Sequence, residues 1–284
     1  MPLSTITMTQ KNPDQYLVYG NPIEQSRSPD IHHIFATKSQ QTINYQKQFV
    51  DLDGFSTAVS YFISQGGKGA NVTAPFKEEA LRLSDVLTDR ASLAGAVNTL
   101  TFKNGKIYGD NTDGEGLVQD LLMNGVTLKQ SRILILGAGG AVRGVLLPIL
   151  AQSPKSITIA NRTVSKAQDL CKHFDDKRLN ACSFNETSES AFDLIINATS
   201  ASLSGDLPPI PESIITNTIV CYDMVYGKNE TPFLQWAKAQ GANKIIDGLG
   251  MLVGQAAVSF SVWRNVTPDV QPVIDFLRIA IKEG

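Results

Sequence analysis

Short apolar runs of strand length alternate along the chain with stretches whose apolar residues recur at helical spacing, and these two periods predict its elements. Residues 16–19 read as a first strand, closed by Gly20, Asn21 and Pro22. After the loop EQSRSP, Ile31, Ile34 and Phe35 mark the buried stripe of a helix, with Ser28 and Pro29 as its N-cap and first position. An extended stretch over 45–50 precedes a helix carrying Phe55, Ala58, Val59, Phe62 and Ile63, which Gly66 and Gly67 stop. Residues 70–73 read as a strand delivering Asn71 and Thr73 to its end, and Pro75 restarts the chain as a helix with Lys77 in its first turn. Two alternating runs flank Asn104-Gly105, a hairpin turn pair, before Leu117, Leu121 and Leu122 begin another helical stripe.

From Arg132 onward the alternation becomes regular. The predicted strands are 132–136, 156–160, 192–196, 219–222 and 244–246. Helices fall between them, one running through Leu150 with Pro148 expected to kink or shorten it, others starting near 165 and at Pro232. Strands separated by helices imply parallel βαβ units. Two helices close the chain, a small-residue one over 251–263 and an amphipathic one carrying Val273, Phe276, Leu277, Ala280 and Ile281. With no strand after them, they are expected to return to the N-terminal sheet, turning Gln255 toward a cleft.

Chemistry concentrates where these elements end. In RILILGAGGAVRG an apolar strand, a glycine turn and a helix start follow one another, the arrangement in which helix N–H groups hold a pyrophosphate. Gly137 and Gly139 match G-x-G-x-x-G, whereas Val142 occupies the third glycine position, with Gly140, Ala141 and Gly144 beside it. A glycine turn of any α/β protein would look similar. The next strand, however, ends in Asn161, Arg162 and Thr163, where an NAD site would place an acidic residue for the ribose. An arginine suits a 2′-phosphate instead, and the paired motifs predict NADP.

Ser26 and Ser28 precede a helix N-terminus, where hydroxyls and N–H groups bind a carboxylate, although capping accounts for Ser28 equally well. Lys77 stands where the helix dipole disfavours an ammonium, or is a solvated lysine among Glu78, Glu79 and Arg82. Asp110, Asn111, Thr112 and Asp113 are either turn chemistry or one wall of a cleft. His32 and His33 have no partner at ligand spacing and read as packed or surface histidines.

Composition narrows the setting. The 284 residues suggest about two domains, and 42% hydrophobic residues suffice for a core in each. A formal charge of -2 leaves no basic excess for nucleic acid or an anionic membrane surface. Cys171, Cys182 and Cys221, odd in number and outside any C-x-x-C, fit reduced thiols in a cytoplasmic protein better than a disulfide frame or zinc site. Residues 1–15 lack the cationic start and apolar core of a signal peptide, and no later run has the length of a membrane span. They read as a mostly disordered, dispensable lead-in.

Taken in order, GNPIEQSRSP, GKGANVTAPFKEEA, LAGAVNTL, GDNTDG, GAGGAVRG, NRTVSKA, FDLIINATS, CYDMVY and DGLGMLVGQAA resemble shikimate dehydrogenase of the aromatic amino-acid and chorismate pathway, from Gly20 to about Val273. The resemblance implies a two-domain α/β fold. Residues 1–112 and 248–284 would form a discontinuous substrate domain with a mainly parallel mixed sheet, and 113–247 a Rossmann-like NADP-binding domain, with a cleft between them. It implies that Ser26, Ser28, Asn71, Thr73, Lys77, Asn98, Asp113, Tyr226 and Gln255 hold shikimate. Gly137, Ala138, Gly139, Gly140, Ala141, Asn161, Arg162, Thr163, Lys166, Met224 and Gly248 would line NADP, with Asp89 also associated with the cofactor.

The expected reaction is reversible hydride transfer from NADPH to 3-dehydroshikimate by a monomer or homodimer without nucleic-acid or membrane partners. Lys77 is the best proton donor, since the three histidines lie in no motif, and Asp113 would hold it and a substrate hydroxyl. No metal is needed, because neither Cys nor His is clustered. Two departures bear on cofactor affinity: Lys166 replaces an arginine of the phosphate clasp, and Ala201-Ser202 alters the small-residue loop after NATS. An NAD-dependent quinate/shikimate dehydrogenase is disfavoured by Asn161, and a catalytically silent NADP-binding sensor by the presence of Lys77 and Asp113.

Overall fold

The apolar runs of the N-terminal region pair into one mixed sheet and those after Arg132 into a second, wholly parallel one. The computed structural model describes residues 12–189 and 191–283. The first sheet contains β1 (Asp14–Gly20), β2 (Ile43–Phe49), β3 (Gly69–Val72), β4 (Val86–Leu87), β5 (Thr99–Lys103) and β6 (Lys106–Asp110), in the order β2-β1-β3-β5-β6-β4. β1 lies parallel to β2 and β3, whereas β5 is antiparallel to both β3 and β6. Asn104 and Gly105, at φ 55° and 71°, make the left-handed turn that joins β5 to β6.

Each face of this sheet is covered. Phe55 and Val59 of α2 (Phe55–Ser64), with Phe76 before α3 (Lys77–Leu83), bury Tyr19, Val72 and Leu100. On the other side α1 (Ser28–Lys38) packs Ile31 and Phe35 against Leu249, Val253 and Phe260 of α10 (Leu249–Arg264) and Val273 and Leu277 of α11 (Gln271–Glu283). The two closing helices therefore do return to the N-terminal elements.

The second sheet contains β7 (Arg132–Leu136), β8 (Ser156–Ala160), β9 (Leu179–Cys182), β10 (Leu194–Asn197), β11 (Val220–Asp223) and β12 (Lys244–Asp247), in the order β12-β11-β10-β7-β8-β9. All its pairs are parallel. Ile133, Leu134, Ile135 and Leu136 of β7 are all fully buried, which explains a continuous apolar run rather than an alternating one. The helices are α5 (Asp113–Met123), α6 (Gly140–Ala151), α7 (Val164–Phe174), the short α8 (Ala201–Ser204) and α9 (Pro232–Ala239). α5 leads from the first sheet into the second and α10 leads back. They touch by backbone, since a Cβ on Gly116 would fall 2.5 Å from the Gln255 nitrogen and one on Gly254 would fall 2.9 Å from the Gly116 carbonyl oxygen.

Several expectations shift. β1 starts at Asp14 rather than Tyr16, because Asp14 pairs in register with Ile43 and is held by Arg264 Nη1 at 2.5 Å. The lead-in reading therefore fails for residues 14 and 15; residues 1–11 lie outside the described residues. Pro148 does not end α6, which runs on to Ala151; Gly144 one turn earlier and Gly114 opposite leave room for its ring. β4, β9 and α4 (Asp89–Ala94) are absent from the sequence reading because each is too short to display a period.

Candidate active site

Lys77 and Asp113 are the first residues of α3 and α5, and the folding of the β5–β6 hairpin between them brings their side chains together. Lys77 Nζ donates to Asp113 Oδ2 at 2.6 Å. The pair is partly open, with side-chain exposures of 33% and 21%. Asp113 Oδ1 accepts from Asn98 Nδ2 at 2.8 Å, and Asn98 Oδ1 in turn accepts from the Thr112 backbone nitrogen at 3.0 Å and from Thr99 Oγ1 at 2.8 Å. The carboxylate is thus fixed from behind, and it fixes the ammonium. An ammonium held this way at a cavity wall can hand a proton to a bound group and remain in place.

That cavity, of about 300 Å³, collects Lys77 and Asp113 with Ser26, Ser28, Asn71, Thr73, Asn98, Tyr226 and Gln255. Ser26 Oγ and Ser28 Oγ stand 3.2 Å apart. The capping reading of Ser28 is corrected: the N-cap position of α1 is Arg27, no side chain caps it, and Ser28 is already helical. Asn71 is engaged at both ends of its amide. Its Nδ2 donates to Asn98 O at 3.1 Å and Ser259 Oγ at 3.0 Å, and its Oδ1 accepts from Tyr45 OH at 2.7 Å, so it braces the cavity floor. Burial raises the Tyr226 pKa, keeping its phenol neutral.

Behind the floor, His32 is fully buried and stacks on Tyr45 with ring centroids 4.2 Å apart. Its ring nitrogens make no hydrogen bond of normal geometry. Burial lowers its pKa to about 3, against the weaker opposing influence of the Asn71 side chain. An unfolded histidine takes up a proton near pH 6.5, the folded one only near 3. Stability is therefore fully present above 6.5 and is lost as pH falls toward 3, by up to about 1.4 kcal/mol per pH unit. His32→Phe keeps the stack and removes this titration. Its unfolding free energy, measured from pH 7.5 downward (roughly to 4.5), is expected to gain on wild type below about pH 6.5. A difference that stays constant with pH would reject the argument.

A larger cavity of about 860 Å³ opens at the carboxyl end of β7, where the strand order reverses between β8 and β10. Gly137, Ala138, Gly139, Gly140 and Ala141 line one side, and Asn161, Arg162, Thr163 and Lys166 another. Gly137 has φ 107°, a conformation that needs glycine. Added Cβ atoms on Gly139 or Gly140 would meet nothing within 4 Å, so open space lies directly before the N-terminus of α6, as an anion requires. Arg162 and Lys166 are exposed, and no carboxylate pairs with either among the described residues. These features fit a dinucleotide carrying a 2′-phosphate.

Three predicted cofactor residues lie elsewhere. Met224 and Gly248 line the smaller cavity, packed so closely that a Cβ on Gly248 would fall 2.2 Å from the Met224 carbonyl oxygen. Asp89, the exposed first residue of α4, lines neither cavity. Among the described residues no group of three or more His, Cys, Asp or Glu is placed to hold a metal ion, and no helix is long and apolar enough to cross a membrane.

Sequence reasoning missed the framework residues Thr99, Ser259 and Tyr45. Only Ser259 left a signal, lying one turn from Gln255 on the same face of α10. It also missed the wall of the larger cavity formed by Ser204, Asp206, Leu207, Pro208 and Pro209.

Comparison with known proteins accords with this geometry. Residues 18–100 match the model of the shikimate dehydrogenase substrate binding domain, 119–204 that of shikimate / quinate 5-dehydrogenase, and 248–277 that of the shikimate 5'-dehydrogenase C-terminal domain. The chain is 72% identical to an NADP(+) shikimate dehydrogenase of Colwellia psychrerythraea, over 97% of this chain and all (100%) of that one. Among solved structures it is similar to an Ael1 enzyme from Pseudomonas putida, with 46% identity, TM-score 0.91 and coverage of 93% and 98% of the two chains. It is similar also to shikimate 5-dehydrogenase of Thermus thermophilus in complex with NADP(H) and shikimate, with 31% identity, TM-score 0.84 and coverage of 94% and 99%. With its sheets, its glycine turn and its lysine–aspartate pair set as described, the chain belongs to the shikimate dehydrogenase family.

Proposed function

We propose that this protein is an NADP-dependent shikimate dehydrogenase, reversibly reducing 3-dehydroshikimate to shikimate in the cytoplasm for aromatic amino-acid biosynthesis, as a monomer or homodimer. The observation that carries this reading is the fixed Lys77–Asp113 pair in one cavity with Ser26 and Ser28. Residues 1–112 and 248–284 act as the substrate domain and 113–247 as the cofactor domain, the larger cavity taking NADP.

NADPH bound there supplies the hydride for the ring ketone. The oxygen left negative by that addition needs a proton, and Lys77 Nζ gives it, with Asp113 Oδ2 stabilising the ammonium before transfer. In the reverse direction the lysine takes the proton back. Asp113, anchored through Asn98, keeps the lysine in place and accepts from a substrate hydroxyl. Ser26 and Ser28 orient the substrate carboxylate, so that the ketone and not the acid group lies at the lysine.

Following NADP reduction with shikimate and with quinate, and repeating both with NAD, tests the assignment. Turnover of shikimate with NADP is expected to dominate; preference for quinate with NAD would replace the reading by that of a quinate dehydrogenase. Changing Ser26 and Ser28 together to alanine is expected to raise the shikimate KM about tenfold or more, since hydrogen bonds to a charged group are worth about 1.5–3 kcal/mol. The KM for NADP and the melting temperature should hardly move, because the one bond from either hydroxyl to the start of α1 is the long 3.4 Å contact in which the Ser28 nitrogen donates to Ser26 Oγ. A lowered melting temperature with unchanged substrate affinity would return the serines to a structural role.

A further inference from the structure

The loop after β10 forms one wall of the larger cavity through Thr199, Ser200 and Ala201. Ser202, the next residue, is outside that lining and buried, with 9% exposure. Its Oγ donates to Asp223 Oδ2 at 2.7 Å and accepts from Asn197 Nδ2 at 3.3 Å. Asn197 and Asp223 are both fully buried and end the neighbouring strands β10 and β11 in register with one another.

Each of these partners holds a different cavity wall. Asn197 Oδ1 accepts from the Thr199 backbone nitrogen at 3.1 Å and from Thr199 Oγ1 at 2.7 Å. Thr199 packs over the glycine turn, its Cγ2 3.4 Å from where a Cβ on Gly137 would stand. Asp223 Oδ1 accepts from the Val225 nitrogen at 3.0 Å and its Oδ2 from Thr231 Oγ1 at 2.6 Å. Those bonds fix the turn that carries Met224 and Tyr226 into the smaller cavity. Ser202 thus joins the cofactor-side loop to the substrate-side turn.

Resting on the NADP reading of the larger cavity, we propose that Ser202 is a positioning residue: its hydroxyl ties the loop after β10 to Asp223 and keeps Thr199 and Ala201 in the arrangement that accepts the dinucleotide. Without that hydroxyl, Asn197 Nδ2 is a fully buried donor that has lost its acceptor, which is costly. The amide then turns to find another partner and releases Thr199. The fraction of free enzyme with a competent loop falls, and apparent cofactor affinity falls with it. Shikimate binding, set mainly from α1, α3 and α5, is little affected.

The test is Ser202→Ala in the full chain. The KM for NADP is expected to rise about fivefold, the equivalent of one ordinary hydrogen bond. The shikimate KM at saturating NADP and kcat should change by less than about twofold. Backbone amides over 199–206 should exchange faster in the free variant and regain protection when NADP is added. Thr231→Val removes the other hydroxyl donor to Asp223 Oδ2 without touching Asn197, and should leave the NADP KM unchanged. An unaltered NADP KM in folded Ser202→Ala overturns the proposal, as does an equal rise in Thr231→Val, which would mark a general loosening around Asp223. A wild-type protein that fails to bind NADP fails the functional reading instead, a separate result.

Discussion

Lys77→Ala lowers turnover by about 10²- to 10⁴-fold, the usual worth of a positioned general acid–base group, while shikimate affinity falls much less. The asymmetry follows from where the interaction acts. The proton is needed only as charge develops on the ketone oxygen, so its donor stabilises the transition state more than the bound substrate. Asp113 remains anchored by Asn98 in the variant, so the cavity keeps its frame. Unchanged turnover in purified Lys77→Ala would remove the lysine from the mechanism. Asp113→Asn is also expected to lose activity, because the neutral amide holds the ammonium less firmly. The double variant should lose less than the sum of the two single effects in free-energy terms, since each change breaks the same 2.6 Å contact. Full additivity would show that the two residues act independently.

Asn161→Asp with Arg162→Ala turns preference from NADP toward NAD. A guanidinium over a 2′-phosphate makes charged hydrogen bonds worth about 1.5–3 kcal/mol each, which is roughly one to two powers of ten in affinity. Arg162 lines the larger cavity and is exposed, ready for such an anion. Asn161 Nδ2 now donates to Thr163 O at 2.9 Å. An aspartate in its place repels a phosphate and accepts from a ribose hydroxyl. Lys166, a point charge on a flexible stem, compensates only in part. The measurement is the ratio of kcat/KM for the two cofactors in wild type and variant, with the shikimate KM as control. A variant that keeps the original preference, or a wild type indifferent to the phosphate, would show that this strand end does not read it.

Ser28 and His32 show where sequence reading stops. Ser-Pro before a helical stripe is a sound capping signal, yet capping depends on backbone angles at one residue, and the chain enters α1 through Arg27 instead. His32 carries nothing in its local sequence that marks it as buried. Its burial comes from Phe35 of its own helix, Tyr45 of β2, and Phe260 and Trp263 of α10. Asp89 is a position carried over by resemblance alone, and it lines neither cavity.

The sequence by itself determined the longer strands and helices, the hairpin at Asn104-Gly105, the glycine turn at Gly137 and the charge at the end of β8. Each of these is decided within a few residues, by side-chain period, by backbone angles that only certain residues adopt, or by the absence of one carboxylate. Tertiary structure decided the rest. Lys77 and Asp113 are 36 residues apart and become a pair only when the hairpin folds back, while Asn71 and Ser259, 188 residues apart, meet only because α10 returns beside the first sheet. Such contacts are set by which apolar faces bury one another and by where glycines such as Gly116 and Gly254 let two backbones touch, and no local pattern encodes that choice.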